Sequence, residues 1–180
     1  MSKKVKFAGL FILLVVILTM SVGTSLAKSG GPPYRYTSYM ATCNEFPPED
    51  VWVTGQVVHI KGMTNTGRIY GDPYFAGTFE QRVDVVLNTV TGSGNAHGTI
   101  VIYPNAYEGT WEGGHFQGPI IDFMFMGQGI DFGTGELEGL KDFVQVQEIL
   151  PDELPAEWVE PCQGSPILSA NVGIGKIIEK

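Results

Sequence analysis

Residues 78 to 90 read Thr-Phe-Glu-Gln-Arg-Val-Asp-Val-Val-Leu-Asn-Thr-Val, and no other stretch restricts the fold so sharply. Phe79, Val83, Val85 and Leu87 fall on one side of an extended chain, with Glu80, Arg82, Asp84 and Asn88 on the other. Side chains alternate across a strand, so this period of two predicts a strand with one face in a core and one in water. The run ends at Thr91-Gly-Ser-Gly-Asn95, whose glycines and Asn accept the positive φ of a tight hairpin, and Ala96 to Tyr103 returns.

The same grammar continues along the chain. Gly-Thr recurs at 77, 98, 109 and 133, and runs rich in Val, Ile, Phe, Tyr and Thr lie between. That spacing predicts short antiparallel strands. No segment keeps a helical period beyond about three turns. Tyr107 to Gln117 reads as a strand whose parity puts Tyr107, Trp111 and His115 on one face, with Glu108, Thr110 and Glu112 opposite. Ile120 to Met126 is apolar on nearly both faces and is expected to be the most buried stretch.

Lys141 to Ile149 alternates Val144 and Val146 with Gln145 and Gln147, a half-buried strand. The proline- and acid-rich residues 150 to 164 read as a loop, with a helical turn expected at Glu153 to Val159. Ile167 to Ile178 reads as a closing strand interrupted at Gly173 and Gly175. About eight strands in sequence-neighbour order, rich in internal glycine, predict an all-β chain folded as one closed antiparallel up-and-down barrel, because a small barrel bends its strands repeatedly.

The N-terminus adds location. Lys3, Lys4 and Lys6 precede the apolar run Phe7 to Met20, and Ser25-Leu26-Ala27 is a small-x-small cleavage site, the layout of a secretory signal peptide over residues 1 to 27. The competing reading is an uncleaved membrane anchor over residues 7 to 26. Lys-Ser-Gly-Gly-Pro-Pro at 28 to 33 reads as a flexible leader, and residues 34 to 180 as the barrel domain. Cleavage leaves 153 residues; with three lysines gone from the 11 Lys and Arg, 8 remain against 19 Asp and Glu, a formal charge of −11. Such a surface repels phosphate backbones and anionic lipid, which argues against nucleic acid as a partner. In an exported protein, Cys43 and Cys162 pair most simply as a disulfide tying the two ends of the domain together.

No motif announces a reaction. Phe132 to Phe143, FGTGELEGLKDF, lacks the Gly-Lys of a phosphate-binding loop at the required offset, and position 138 is Glu where a dinucleotide loop needs Gly. His59, His97 and His115 have no metal-ligand spacing, so neither metal nor cofactor is expected. Glu108 with Glu112, and Glu136 with Glu138, read as solvated carboxylates, and no Gly-x-Ser-x-Gly elbow is present.

Gln117-Gly118-Pro119, followed by an apolar strand and then by Gly133, Thr134, Gly135 and Gly139, resembles the allene oxide cyclase and dirigent superfamily over roughly residues 75 to 148. The resemblance implies an eight-stranded barrel with an apolar interior cavity, where a reactive intermediate is cyclised or steered with little covalent help from the protein. The family's polar catalytic residues have no matching positions here, so the resemblance carries fold and not activity.

Tyr107, Trp111, Phe123 and Phe125, with His115 as a polar handle, are the expected ligand-binding set; alternatively these rings simply fill the barrel. The functional expectation is an exported barrel without recognisable catalysis, serving as a binding module for a small apolar ligand or as a structural module. The alternative is a cyclase, isomerase or dirigent-type protein that steers a small apolar substrate in the barrel interior.

Overall fold

The computed structural model describes residues 32 to 158 and 160 to 179. The expected signal peptide and residues 28 to 31 of the leader lie outside the described residues. Among the described residues nine strands follow one another: β1 (Tyr34–Phe46), β2 (Asp50–Thr54), β3 (Val57–Gly71), β4 (Gly77–Asn88), β5 (Ser93–Pro104), β6 (Trp111–Ile121), β7 (Met124–Gly133), β8 (Leu140–Ile149) and β9 (Ser169–Glu179). Each pairs antiparallel with its neighbour from β3 to β9; β1 then pairs with both β9 and β3. Those last two ladders close an eight-stranded barrel. The short β2 continues the line of β1 past Pro47 and Pro48 and pairs with the first half of β3. The closed barrel expected from the glycine-punctuated strands is therefore what the chain forms, and closure leaves each barrel strand paired on both sides.

The strand from Thr78 keeps its expected faces: Phe79 and Val83 are buried, and Glu80 and Arg82 are exposed. Two apolar clusters divide the interior. One gathers Tyr36, Ile69, Phe75, Phe79, Ile102, Trp111, Leu137 and Ile177; the other centres on Val83, Ala96 and Ile120. Trp111 is fully buried, stacks on Phe75 at 5.0 Å and donates its indole N–H to the Tyr74 carbonyl at 2.8 Å. An aromatic plug of this kind is stable because its one polar atom has a partner. FGTGELEGLKDF forms the connection from β7 to β8, with Glu136 and Glu138 exposed and the Glu136 carboxylate accepting the Glu108 backbone N–H at 2.9 Å.

Four local expectations are corrected. Ile120 to Met126 is a hairpin and not the most buried strand: Asp122 and Phe123 take φ of 52° and 67°, and Ile121, Phe123 and Met126 are 50%, 56% and 46% exposed. Positive φ at both central residues is the turn that matches strand twist; without glycine it is strained, and the Phe123 N–H bond to the Gly92 carbonyl at 2.9 Å helps hold it. Tyr107 sits in the β5–β6 loop, and the strand starts at Trp111. The closing strand runs unbroken through Gly173 and Gly175. The helical turn of the 150 to 164 loop lies at Pro151–Glu153, earlier than Glu153 to Val159, whose last residue is outside the described set.

The Cys43–Cys162 disulfide is present, with Cα atoms 5.2 Å apart. It ties the loop between β8 and β9 to β1, beside fully buried Ala41. A disulfide is a mark of an oxidising, extracytoplasmic compartment. No helix among the described residues is long and apolar enough to cross a membrane.

Candidate functional site

Alternation decides which side chains enter the barrel. On β8 the parity that turns half-buried Val144 inward also turns Asp142 inward, and on β7 Asp131 shares the inward face with Gly129. Asp131 and Asp142 are directly opposed in the β7–β8 register and are 3% and 1% exposed. On β1, Tyr36 projects from the neighbouring wall and its hydroxyl donates to Asp142 Oδ2 at 2.7 Å. Tyr36 can lie there because its cross-strand partner is Gly175; a Cβ at Gly175 would stand 2.4 Å from the tyrosine oxygen. The glycine is thus a seat for the ring, which stacks on Phe75 at 4.2 Å.

These groups edge an interior cavity of about 280 Å³ that runs between the two apolar clusters. Its walls include Met40, Met63, Ile100, Phe116 and Val144, so it is mostly apolar. Three buried oxygens on that lining, Asp131 Oδ1, Asp142 Oδ1 and Asn65 Oδ1, have no hydrogen-bond partner within the protein. Asn65 stands on β3, four strands round the ring from β7 and so on the opposite wall. Native interiors leave few such atoms unsatisfied, so these three oxygens call for a partner from outside the chain, a water or a ligand.

Burial raises both carboxyls. Asp131 is pushed from 3.8 to about 7 by desolvation alone. Asp142 is raised to about 7 by desolvation and by the neighbouring Asp131, with the Tyr36 hydroxyl and the Phe143 backbone pulling the other way. Two like charges facing each other across a ladder are costly, so near neutrality the pair holds a proton more firmly than either carboxyl would in water. Tyr36 is raised far above its ordinary value, first by burial and then by Asp142. The site therefore presents hydrogen-bonding carboxyls that change charge near pH 7.

The expected ligand-binding residues do not converge. Trp111 is fully buried in the first apolar cluster and is not part of the cavity lining, whereas Phe125 lines the cavity, edge-on to Phe116 at 6.0 Å. Tyr107 stacks on Tyr74 at 4.9 Å in a loop, and Phe123 is exposed at the β6–β7 turn. His115 faces outward, beside Gln117 and Lys176 in an open surface depression. A bulge at Gly113, φ 71°, breaks the β6 register between Glu112 and His115 and puts Trp111 and His115 on opposite faces.

The other histidines are also apart: His59 stacks on Trp52 at 4.7 Å, and His97 faces Asp84. Among the described residues no group of three or more His, Cys, Asp or Glu side chains is placed to hold a metal. Sequence reasoning missed Tyr36, Asn65, Asp131 and Asp142. The signal for Asp142 was available, because a residue two before Val144 and four before Val146 must share their buried face.

No family model, no curated protein and no solved structure matches the chain.

Proposed function

We propose that this protein is an exported barrel that binds a small molecule in its interior. The carrying observation is the 280 Å³ cavity whose buried lining holds three hydrogen-bonding oxygens without protein partners. Ligand sites are mostly apolar hollows with a few placed polar groups, and this volume is close to the lower end of the roughly 300 to 1,000 Å³ they span. A hollow of about 150 Å³ accommodates benzene, so the ligand is a single ring or short chain with a polar end. Export by a cleaved signal peptide fits the disulfide and the acidic surface. The resemblance of Gln117-Gly118-Pro119 and the Gly133 to Gly139 turn supports a kinship with allene oxide cyclase-like and dirigent-like barrels.

A second reading, an isomerase or cyclase acting on a small substrate in the same cavity, is favoured by the Asp131–Asp142 pair, since a general acid or base works best with its pKa near the working pH. Methyl NMR of Met40 and Met63, which line the cavity, under titration with a fragment library tests the binding reading. Shifts confined to the interior methyls support it; a library that moves none of them contradicts it. Turnover of a bound fragment that is lost in Asp131→Asn would favour the second reading over simple binding.

A further inference from the structure

The charge of the cavity lining is lopsided. Asp131 and Asp142 stand deep within it, Glu45 and Glu148 also line it, and no Lys, Arg or His does so among the described residues. An anion entering would meet four carboxyls and nothing to pair with. Two of the unpartnered oxygens belong to the opposed aspartates on one wall, and the third, Asn65 Oδ1, is an uncharged acceptor on the opposite wall. All three residues are more than nine-tenths buried. The lining therefore asks for hydrogen-bond donors and for positive charge.

Resting on the binding reading above, we propose that the ligand is a small organic amine with an apolar body, its ammonium held between Asp131 and Asp142 and its body against Met40, Ile100, Phe116 and Val144. A primary ammonium carries three N–H donors and no acceptor, the complement of a wall that offers free carboxyl oxygens. Charge-assisted bonds of this kind are about twice as strong as neutral ones. The ammonium also removes the repulsion between the opposed aspartates, so binding and ionisation of the pair reinforce each other. A chain with formal charge −8, more negative still once the N-terminal lysines are removed, draws cations towards it in the same sense.

Selectivity for the amine follows the state of the carboxyls. The groups facing the pair are Tyr36 from β1, which donates to Asp142, and beyond it Asp72, whose charge acts on Tyr36. Glu45 from β1 and Glu148 from β8 are further acids on the lining. None of these supplies a positive charge, so only an incoming cation can neutralise the pair when it ionises.

The test uses the full mature protein and three probes of one size: 2-phenylethylammonium, 2-phenylethanol and phenylacetate. Affinities are measured by calorimetry near pH 8 and near pH 5, with the Met40 and Met63 methyl signals reporting interior occupancy. The expected result near pH 8 is an affinity for the ammonium roughly tenfold or more above that for the alcohol, with phenylacetate excluded. Near pH 5 the preference should fall to within about threefold as the carboxyls protonate. In the double variant Asp131→Asn with Asp142→Asn, the preference should vanish while the alcohol still enters. Should that variant fail to fold, the comparison of the two pH values in the unaltered protein decides alone. If the alcohol binds as well as the amine near pH 8, or phenylacetate binds best, the amine inference is overturned and the binding reading survives. If no probe moves the interior methyls, both fall.

Discussion

The Tyr36 hydroxyl donates to Asp142 Oδ2 at 2.7 Å across 106 residues of chain, joining β1 to β8 inside the cavity. Removing the donor leaves the buried Asp142 Oδ2 without its side-chain hydrogen-bond partner. Tyr36→Phe is expected to cost about 1 to 3 kcal/mol, the penalty for stranding a buried polar partner. Because that bond holds the Asp142 pKa down, the variant should also raise it further. Urea denaturation and a carbon-13 carboxyl titration check both effects. Unchanged stability with a lower Asp142 pKa would contradict the bond's role.

Stability should fall as pH rises through the neutral range. Asp131 and Asp142 have an ordinary value of 3.8 and are raised to about 7 in the fold. Between those limits the native state binds more protons than the unfolded chain, so the slope of unfolding free energy with pH is negative there. Their contribution is fully present below about pH 4 and lost as pH passes through about 7. At about 1.4 kcal/mol per pKa unit, each of the two carboxyls is expected to cost on the order of 3 kcal/mol between pH 4.5 and 8. Asp131→Asn should flatten that fall and stabilise the protein near pH 8. Urea midpoints across the range measure it, and a wild-type midpoint that climbs from pH 5 to 8 would sink the assignment.

Gly175 and Tyr36 should prove energetically coupled. An added Cβ at 175 stands 2.4 Å from the tyrosine oxygen, so Gly175→Ala must push the ring away from Asp142. Overpacking of this kind costs about 1 to 3 kcal/mol. Once Tyr36→Phe has removed the hydroxyl, the same alanine should cost less. A double-mutant cycle on urea stabilities reads the difference, and strict additivity would count against the seat.

Trp111→Ala removes a fully buried indole from the aromatic plug and leaves the Tyr74 carbonyl without its donor. The expected loss is about 3 to 5 kcal/mol. Trp111→Phe should lose less, because a phenyl ring keeps part of the stack on Phe75 while the hydrogen bond and the packing of the second indole ring go. Equal losses in the two variants would show that the bond, and not packing, dominates.

Replacing Cys43 and Cys162 by serine opens a link spanning 119 residues of sequence. About 2 to 5 kcal/mol of stability is expected to go, mainly through a less constrained unfolded chain. Proteolysis should then cut first in the β8–β9 loop, which the bond ties to β1. Equal denaturant midpoints for oxidised and reduced protein would contradict the expectation.

The strand pattern was legible because alternation is local. Phe79 and Val83 against Glu80 and Arg82 needed nothing beyond the chain's own parity. The β6–β7 turn was hidden because Asp122 and Phe123 adopt positive φ without glycine, and what helps hold them is the Phe123 N–H bond to the Gly92 carbonyl, in a hairpin far back along the chain. His115 was set on the wrong face for a similar reason, since one bulge at Gly113 reverses every side chain beyond it.

By itself the sequence determined a meander of strands, its inward and outward faces, and the one cysteine pair available for a disulfide. Parity says which face a residue takes, but it does not say which residues meet across the interior. That was decided by closure of β1 onto β3 and β9 and by the register that sets Asp131 opposite Asp142, with Gly175 opening the space for Tyr36. Pairings between residues as distant as Tyr36 and Asp142 exist only once the barrel is closed, so the acidic cavity belongs to the tertiary structure.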